Sequence, residues 1–529
     1  MAKPKIRLRN LWSTVENIPY NVRGELYEYL SFIVPGCQYS DKYIGNIEDP
    51  EEKKKAWDGK IHLYRRQTST FLSGLAHQVV TFFRKNYNIT PDIVWETKKP
   101  NKTLDLSWNH EKYKLRKEYQ TEIVENCIRR GRGIIECCTG GGKTLIVAKI
   151  IQELGVAPFI FYVLTKDLMY QSQEKLEEAI PGLKVGLVGD GQCDIRDINI
   201  VTVQTATTCY LSGKSKKAIE KYLKEIKNAA EWDESEYKEF KKEDLKHLES
   251  EEKRNLIKKL ITETVGIYAD EVHHFSTKTC KSIMLKSPNA YYRFGGSATP
   301  ERIDNSYLTI EGLFGRKTSV VTASELIKLK YLVKPNIKFI DLKQKPFLVN
   351  TWSEDRKSHI TENEQRNQCI ISLANLLMSQ DIKTMILVQI IAHGKMLKSQ
   401  LPGSVFLHGS SPKKERRNTL SDFVNGKISI LIGSVIADEG LDLPCLSGLI
   451  LAGGGKAATR AKQRVGRVIR VDPKISYEKQ KSYVFDFMDG GRWVSDHSKE
   501  RFKILEKEEE FDVSITSMQD ALIMQDNLF

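Results

Sequence analysis

The stretch ECCTGGGKTL, residues 136–145, sets two adjacent cysteines before three glycines, a lysine and a threonine. Whether it is a thiolate metal site or a backbone cradle for phosphate decides the fold. Before it, GIIECC is a strand-like run; after it, LIVAKIIQEL is an amphipathic helix. Strand, glycine turn, Lys-Thr and helix, in that order, are the setting of a phosphate-binding loop. Glycines let backbone N–H groups turn inward onto phosphate oxygens, and a helix N-terminus adds favourable dipole charge. Thr139, Gly140, Gly141 and Gly142 are then the cradle, Lys143 reaches the β- and γ-phosphates, and Thr144 ligates Mg²⁺. ATP and Mg²⁺ are the expected cofactors. The usual G-x-x-x-x-G-K-[ST] pattern has Cys137 in place of its first glycine. Adjacent residues rarely share one ion, and the nine scattered cysteines form no CxxC pair, so no metal is expected on Cys137 and Cys138.

Outward from the loop, RGIIEC, FIFYVLT, INIVTVQT and VGIYAD alternate with helical stretches, the signature of a parallel α/β sheet. A second series opens with KPNIKFIDL near 334 and runs through KTMILVQII, SVFLHG, KISILIGS, SGLILAGG and KSYVFDFMD. QKPFLVNTWSEDRKS (344–358) is expected to be an irregular excursion. At 529 residues, about three domains are expected. These are an N-terminal domain over 1–108, a first α/β domain over 109–333 and a second over 334–510, with 511–529 as a C-terminal tail. TKKPNKT (97–103) is the first linker. A charged stretch at about 212–262 has Ile219, Tyr222, Leu223 and Ile226, then Leu256, Ile257, Leu260 and Ile261, at helical spacing, and is expected to be a helical insertion. It is either a solvated appendage or a clamp at a DNA junction.

A net charge of +14 and a pI near 9.1 favour a polyanionic partner. Residues 1–108 carry 17 Lys and Arg against 12 Asp and Glu. No apolar run approaches the roughly 18 residues of a membrane span, and the N-terminus does not read as a signal peptide. A cytoplasmic monomer without membrane contact is expected, in the host cytoplasm if phage-encoded.

VGIYADEVHH ends an apolar strand in two carboxylates. Asp270 there can hold Mg²⁺ and Glu271 can polarise the attacking water. QRVGRVIR (463–470) opens a helix on which Arg467 and Arg470, three apart, share a face. Arginines aimed at the γ-phosphate are worth about 10³–10⁵ in rate.

Together these motifs resemble superfamily 2 helicases over about residues 112–505. KLRKEYQ supplies the glutamine, Gln120, that in such proteins reads adenine. LTKDL (164–168), VTVQT (201–205), DEVH (270–273), SATP (297–300), HGSSPKKER (408–416), GSVIADEGLDLP (433–444) and QRVGRVIR follow in order. Within the superfamily, AHGKML (392–397), GRVIR and the WDGKIHLY core of residues 32–66 are similar to the UvsW-like phage recombination helicases; the DEVH box is XPB-like.

The resemblance implies an α/β fold of two tandem RecA-like domains with parallel sheets, a small N-terminal α+β DNA-binding domain and the insertion. It implies remodelling of branched DNA, by fork regression, junction branch migration and unwinding, with duplex, forked, four-way and single-strand DNA as partners. Gln463, Arg467 and Arg470 join Lys143, Asp270 and Glu271 as catalytic; Gly440 and Asp442 would meet the nucleotide; Ser297 and Thr299 would couple it to DNA. Lys166, Thr205, His393, Lys395, Arg416 and Ser434 are DNA contacts, backbone-directed because a translocase must step over any sequence.

In the first segment Lys60, Arg65 and Arg66 are the DNA-facing part, beside Trp57 and Tyr64. The Trp57 ring is expected to be core, with base stacking as the alternative and Asp58-Gly59 as a tight turn. PDIVWETK (91–98) superficially matches a metal-nuclease pattern, but Asp92 and Glu96 are too close in sequence to converge from separate strands. An RNA helicase, a restriction motor subunit and a non-catalytic nucleotide-regulated DNA-binding protein are the alternatives.

Overall fold

Apolar runs and amphipathic helices alternate along most of the chain, and in the computed structural model they form parallel sheets flanked by helices. The structure describes residues 2–47, 49–53, 56–210, 251–300, 306–344, 349–409, 411–434, 443, 445–455, 458–472 and 474–523. The described residues fall into two units: Cys138–Gly141 and those from Val321 on form the second, the rest the first. No helix among the described residues is long and apolar enough to cross a membrane.

The first unit begins with alternating strands. β1 (Lys5–Leu8) and β2 (Trp12–Glu16) bury every second side chain and pair antiparallel, Ile6 opposite Val15. β3 (Ser31–Ile33) and β4 (Lys60–His62) form a separate ribbon, while β5 (Tyr64–Arg65), β6 (Thr70–Leu72) and β7 (Asp92–Trp95) complete a five-stranded sheet, β5-β6-β2-β1-β7. The helices Tyr20–Tyr29 and Ala76–Tyr87 contribute Val22, Leu26, Val79, Phe82 and Phe83 to its core. Trp57, expected in that core, is half-buried instead. Its indole N–H donates to the Lys60 carbonyl at 2.7 Å, while Asp58 accepts the Lys60 N–H at 3.0 Å and Gly59 has φ of 79°. The ring staples the tight turn from outside.

The N-terminal sheet is seated on the α/β domain that follows. A Cβ on Gly74 would lie 2.1 Å from the Glu311 carbonyl oxygen, so only glycine allows the approach. Leu72 and Leu75 share one apolar core with Leu313 and Phe314. The α/β domain itself holds β8 (Arg132–Cys137), β9 (Phe159–Val163), β10 (Gly186–Gly189), β11 (Gln192–Asp194), β12 (Ile198–Thr202), β13 (Gly266–Asp270), β14 (Tyr292–Ser297) and β15 (Lys317–Val321). Their order is β11-β10-β12-β9-β13-β14-β8-β15. β9 and β12 are buried throughout, as a parallel sheet covered on both faces requires.

Of the expected insertion, residues 211–250 lie outside the described residues, and with them Ile219, Tyr222, Leu223 and Ile226. Its end is the helix Glu251–Glu263, whose Ile257, Leu260 and Ile261 enter the core while Leu256 stays exposed. That helix belongs to the domain.

The second unit is a seven-stranded parallel sheet of β16 (Pro335–Asp341), β17 (Thr384–Leu387), β18 (Val405–Leu407), β19 (Ile430–Gly433), β20 (Gly448–Leu451), β21 (Ser482–Met488) and β22 (Asp512–Ser517). Its order is β18-β19-β17-β20-β21-β16-β22. Two expectations differ here. Residues 512–523, read as tail, form β22, parallel to β16, and the helix Met518–Ile523, which places Ala521 in the core. Residues 352–358, within the stretch expected to be irregular, are helical, and the helical run continues to Thr361; it is opened by a capping box between Thr351 and Glu354. The anchor is Asp355, fully buried, which accepts the N–H groups of Arg492, Trp493 and Val494 at 3.3, 2.7 and 3.2 Å. These are unmet donors where the helix Val494–Glu506 starts.

Candidate active site

β8, β14 and β13 lie side by side, with Ser297 opposite Glu136 and Asp270 opposite Gly296. Their carboxyl ends bring the glycine turn, Ser297 and the acid pair to one edge of the sheet, where open α/β sheets bind ligands. Past Cys137 the chain turns through Thr139, Gly140 and Gly141 into the helix Lys143–Leu154. Gly140 and Gly142 have φ of 87° and 80°, a left-handed backbone that favours glycine. A Cβ on Gly142 would also meet Gln120 Nε2 at 2.5 Å. Gln120 is 2% exposed, and its Oε1 accepts the Arg116 N–H at 2.9 Å. Gln120, which the resemblance makes the adenine reader, is thus held against the glycine turn. Lys143 donates to the Cys137 carbonyl at 2.9 Å, and Thr144 is in the helix's first turn.

The acid pair is built asymmetrically. Glu271 has φ of 47°, an uncommon setting for a side-chain-bearing residue. Its Oε2 accepts from Ser297 Oγ at 3.0 Å and stands 3.3 Å from His273 Nδ1, which is itself 2.9 Å from Ser297 Oγ. The Thr299 N–H donates to the same Ser297 hydroxyl at 3.2 Å. Burial works against the Glu271 carboxylate, but the His273 hydrogen bond and the His273, Lys143 and His274 charges outweigh it and hold its pKa below the usual carboxylate range. Burial and the Glu271 charge push Asp270 the other way, above that range, partly offset by Lys143. One acid is therefore kept ionised, while the other gains from any cation placed beside it. Thr144 and Asp270 are oxygen donors, the set a hard divalent ion such as Mg²⁺ prefers. The sequence names His273 only within DEVH; its place two residues past Glu271 is the one local signal of its role beside that acid.

None of the nine cysteines is joined in a disulfide, and Cys137 is buried. Among the described residues, the one cluster able to hold an ion is Glu28, Asp58 and His62. It is already satisfied: Lys60 pairs with Glu28 at 2.6 Å and His62 with Asp58 at 2.6 Å. Asp92 and Glu96, the discarded nuclease pair, are engaged by Lys3 and by Arg7 and Arg9.

The other expected residues divide by exposure. Arg65 and Lys395 are exposed, Arg65 over the Trp12 ring at 4.0 Å, and Arg66 lies over the Tyr20 ring at 4.2 Å. Lys166 is 3.9 Å from Asp190, and Arg416 donates to the Gly409 and Ser411 carbonyls at 3.3 and 3.4 Å. Thr205, Ser434 and His393 are buried, at 7%, 5% and 3% exposure. Burial, helped by the Arg366 charge, lowers the pKa of His393, expected among the DNA contacts, to about 3, so its imidazole is neutral. Gly440 and Asp442 lie outside the described residues. Gln463 and Arg467 are on the helix Ala458–Val468, but Arg470 lies beyond its end in a bridge to Leu332. The two arginines therefore do not share a helical face as expected, because the Val333 N–H binds the Ile469 carbonyl at 2.7 Å and the chain leaves the helix.

Comparison with known proteins places the chain in a family. The family model described as "Type III restriction enzyme, res subunit" matches residues 112–302, and "Helicase conserved C-terminal domain" matches 365–472. The chain belongs to the superfamily 2 helicases. It is 26% identical to "Putative helicase 22" of a Sulfolobus islandicus filamentous virus over 89% of this chain and 84% of that protein. It is 24% identical to "DNA 3'-5' translocase XPB2" of Sulfurisphaera tokodaii over 69% of this chain and 80% of that one. The solved structure of T4 UvsW aligns at 18% identity over 97% of this chain and 99% of its own, with a TM-score of 0.42. As a superfamily 2 helicase, the chain has an ATP-driven engine of two RecA-like domains.

Proposed function

We propose that this helicase is a DNA-stimulated, Mg²⁺-dependent translocase that remodels branched DNA at forks and four-way junctions. The observation that carries the reading is Glu271, ionised by its own neighbours beside Lys143 at the end of the glycine-turn sheet. An ionised carboxylate in that place orients and polarises an attacking water. The turn amides of Thr139–Gly142 and Lys143 bind phosphate oxygens, Gln120 reads the base, and Gly440 and Asp442 meet the nucleotide. Thr144 and Asp270 hold Mg²⁺, which supplies charge neutralisation at the phosphates. Gln463, Arg467 and Arg470 add positive charge and hydrogen bonds to the reacting phosphate. Ser297, bonded both to Glu271 and to the Thr299 N–H, joins the acid to the following loop.

DNA as the track is supported by the net charge of +14 and by the DNA translocase among the relatives. Junction preference is supported by the WDGKIHLY likeness and by Lys60, Arg65 and Arg66 in the N-terminal domain.

The test is ATP hydrolysis measured with no nucleic acid, single strand, blunt duplex, fork, four-way junction and RNA. Branched DNA should stimulate most. Lys143→Ala should abolish turnover, and Glu271→Gln should lower kcat by about 10²–10⁴ while keeping nucleotide binding. Turnover surviving both changes refutes the catalytic assignment, and stronger stimulation by RNA refutes the substrate.

A further inference from the structure

The two acids of the site are held in different ways. Glu271 is flanked by Ser297 and His273. Asp270 has one hydrogen-bonded side chain among the described residues, that of Tyr268, whose hydroxyl stands 3.4 Å from Oδ1. Facing a carboxylate, the phenol is the donor. The sequence places the pair together, because side chains two apart on a strand share a face and both residues belong to β13.

The hydroxyl is tightly placed. Tyr268 is 1% exposed. Its ring meets the edge of Phe161, its neighbour on β9, with centroids 4.7 Å apart and planes at 87°. Its far end reaches over β14, where a Cβ on Gly296 would lie 2.1 Å from the hydroxyl oxygen. Gly296 is not among the glycines with a left-handed backbone, so what it supplies is room for the end of this side chain. Gly296 is also the register partner of Asp270. Ring, glycine and acid together hold the hydroxyl in one place. The contact is long for a hydroxyl–carboxylate bond, so its effect is to restrict rotation of the carboxylate rather than to add much stability.

A carboxylate that receives a divalent ion gains from having its plane fixed beforehand. Outer partners of metal-ligating groups do this, and losing one weakens metal binding by roughly 10–100-fold. We propose that Tyr268 is a positioning residue: its hydroxyl orients the Asp270 carboxylate toward the divalent ion that accompanies the nucleotide. The inference rests on the reading of Asp270 as a Mg²⁺-holding acid and adds the group that orients it. A ring needed only for packing has no use for its oxygen, so Tyr268→Phe separates the two roles.

The test measures binding of a fluorescent ADP analogue to the full chain in EDTA and at rising Mg²⁺, with DNA-stimulated ATP hydrolysis followed over the same Mg²⁺ series. In Tyr268→Phe the half-saturating Mg²⁺ should rise about tenfold, the lower end of that range because the contact is long. Nucleotide affinity in EDTA should stay within about twofold of wild type, and excess Mg²⁺ should restore most of kcat. Thermal melts establish that the variant is folded; if it is not, Tyr268→Met takes its place. A folded variant with unchanged half-saturating Mg²⁺ overturns the inference and leaves the Mg²⁺ reading of Asp270 standing. Affinity lost equally with and without Mg²⁺ marks a packing role and overturns it too. A wild-type chain whose nucleotide binding ignores Mg²⁺ overturns both.

Discussion

Glu271 and Asp270 are consecutive, equally acidic and close to the same lysine, yet their proton affinities diverge. The difference comes from one histidine and one serine, both on Glu271. His273→Ala removes the largest influence holding the Glu271 pKa down, so that pKa rises toward and beyond the usual carboxylate range. With Glu271 as the proposed base, acting only when ionised, the acid limb of the kcat–pH profile should move to higher pH in His273→Ala. Activity should be recovered as pH increases; an acid limb that stays in place would show that His273 acts only on structure. At this scale the sequence was informative about chemistry. Lys143, Thr144, Asp270, Glu271 and Ser297 could each be read from a motif, because a phosphate turn and a strand-end acid are set by residues near in sequence. Exposure could not be read: His393, Thr205 and Ser434 carry the groups a DNA contact needs, and the fold buries all three.

Among the elements, the loop after β20 depends on buried ions rather than on its own sequence. Arg501 holds Asp486 through two hydrogen bonds of 2.8 Å and donates to the Gly455 carbonyl at 2.9 Å. Arg366 reaches Asp489 at 2.9 Å and the Ala452 carbonyl at 2.7 Å. Asp486→Ala strands a buried guanidinium, so the second unit should lose about 3–5 kcal/mol, read from its denaturant midpoint. A loss under about 1 kcal/mol would mean that water replaces the carboxylate. Three of these residues stand beside or within apolar runs, where a sequence reading sees a strand or helix end rather than a network. The helix at Trp352–Arg356 is a different kind of omission. Its capping box, Thr351 to Glu354, is written in TWSE, but the nearby Pro and Asn are equally the composition of a loop.

For the whole molecule, the helix Glu251–Glu263 separates two ways of removing the insertion. Deleting 212–250 leaves Ile257, Leu260 and Ile261 in the core; deleting 212–262 removes them. The shorter deletion should keep the melting temperature and basal ATP hydrolysis and impair junction processing if the insertion is a clamp. The longer one should lower the melting temperature strongly, since each large core side chain lost is worth about 2–5 kcal/mol. Unchanged junction processing by the shorter variant retires the clamp. The N-terminal sheet sits on its neighbouring domain through Gly74, and nothing in the local sequence distinguishes that glycine from an ordinary turn residue.

The sequence by itself determined the engine: its strand–turn–helix loop, its strand-end acids and the order of its motifs, all written in short stretches whose conformation follows from their own residues. Only the tertiary structure decided that residues 512–517 are a strand, that His393 is buried and neutral, and that the amino-terminal sheet shares a core with its neighbour. Each of those depends on a partner many residues away, and burial and strand pairing belong to both partners together.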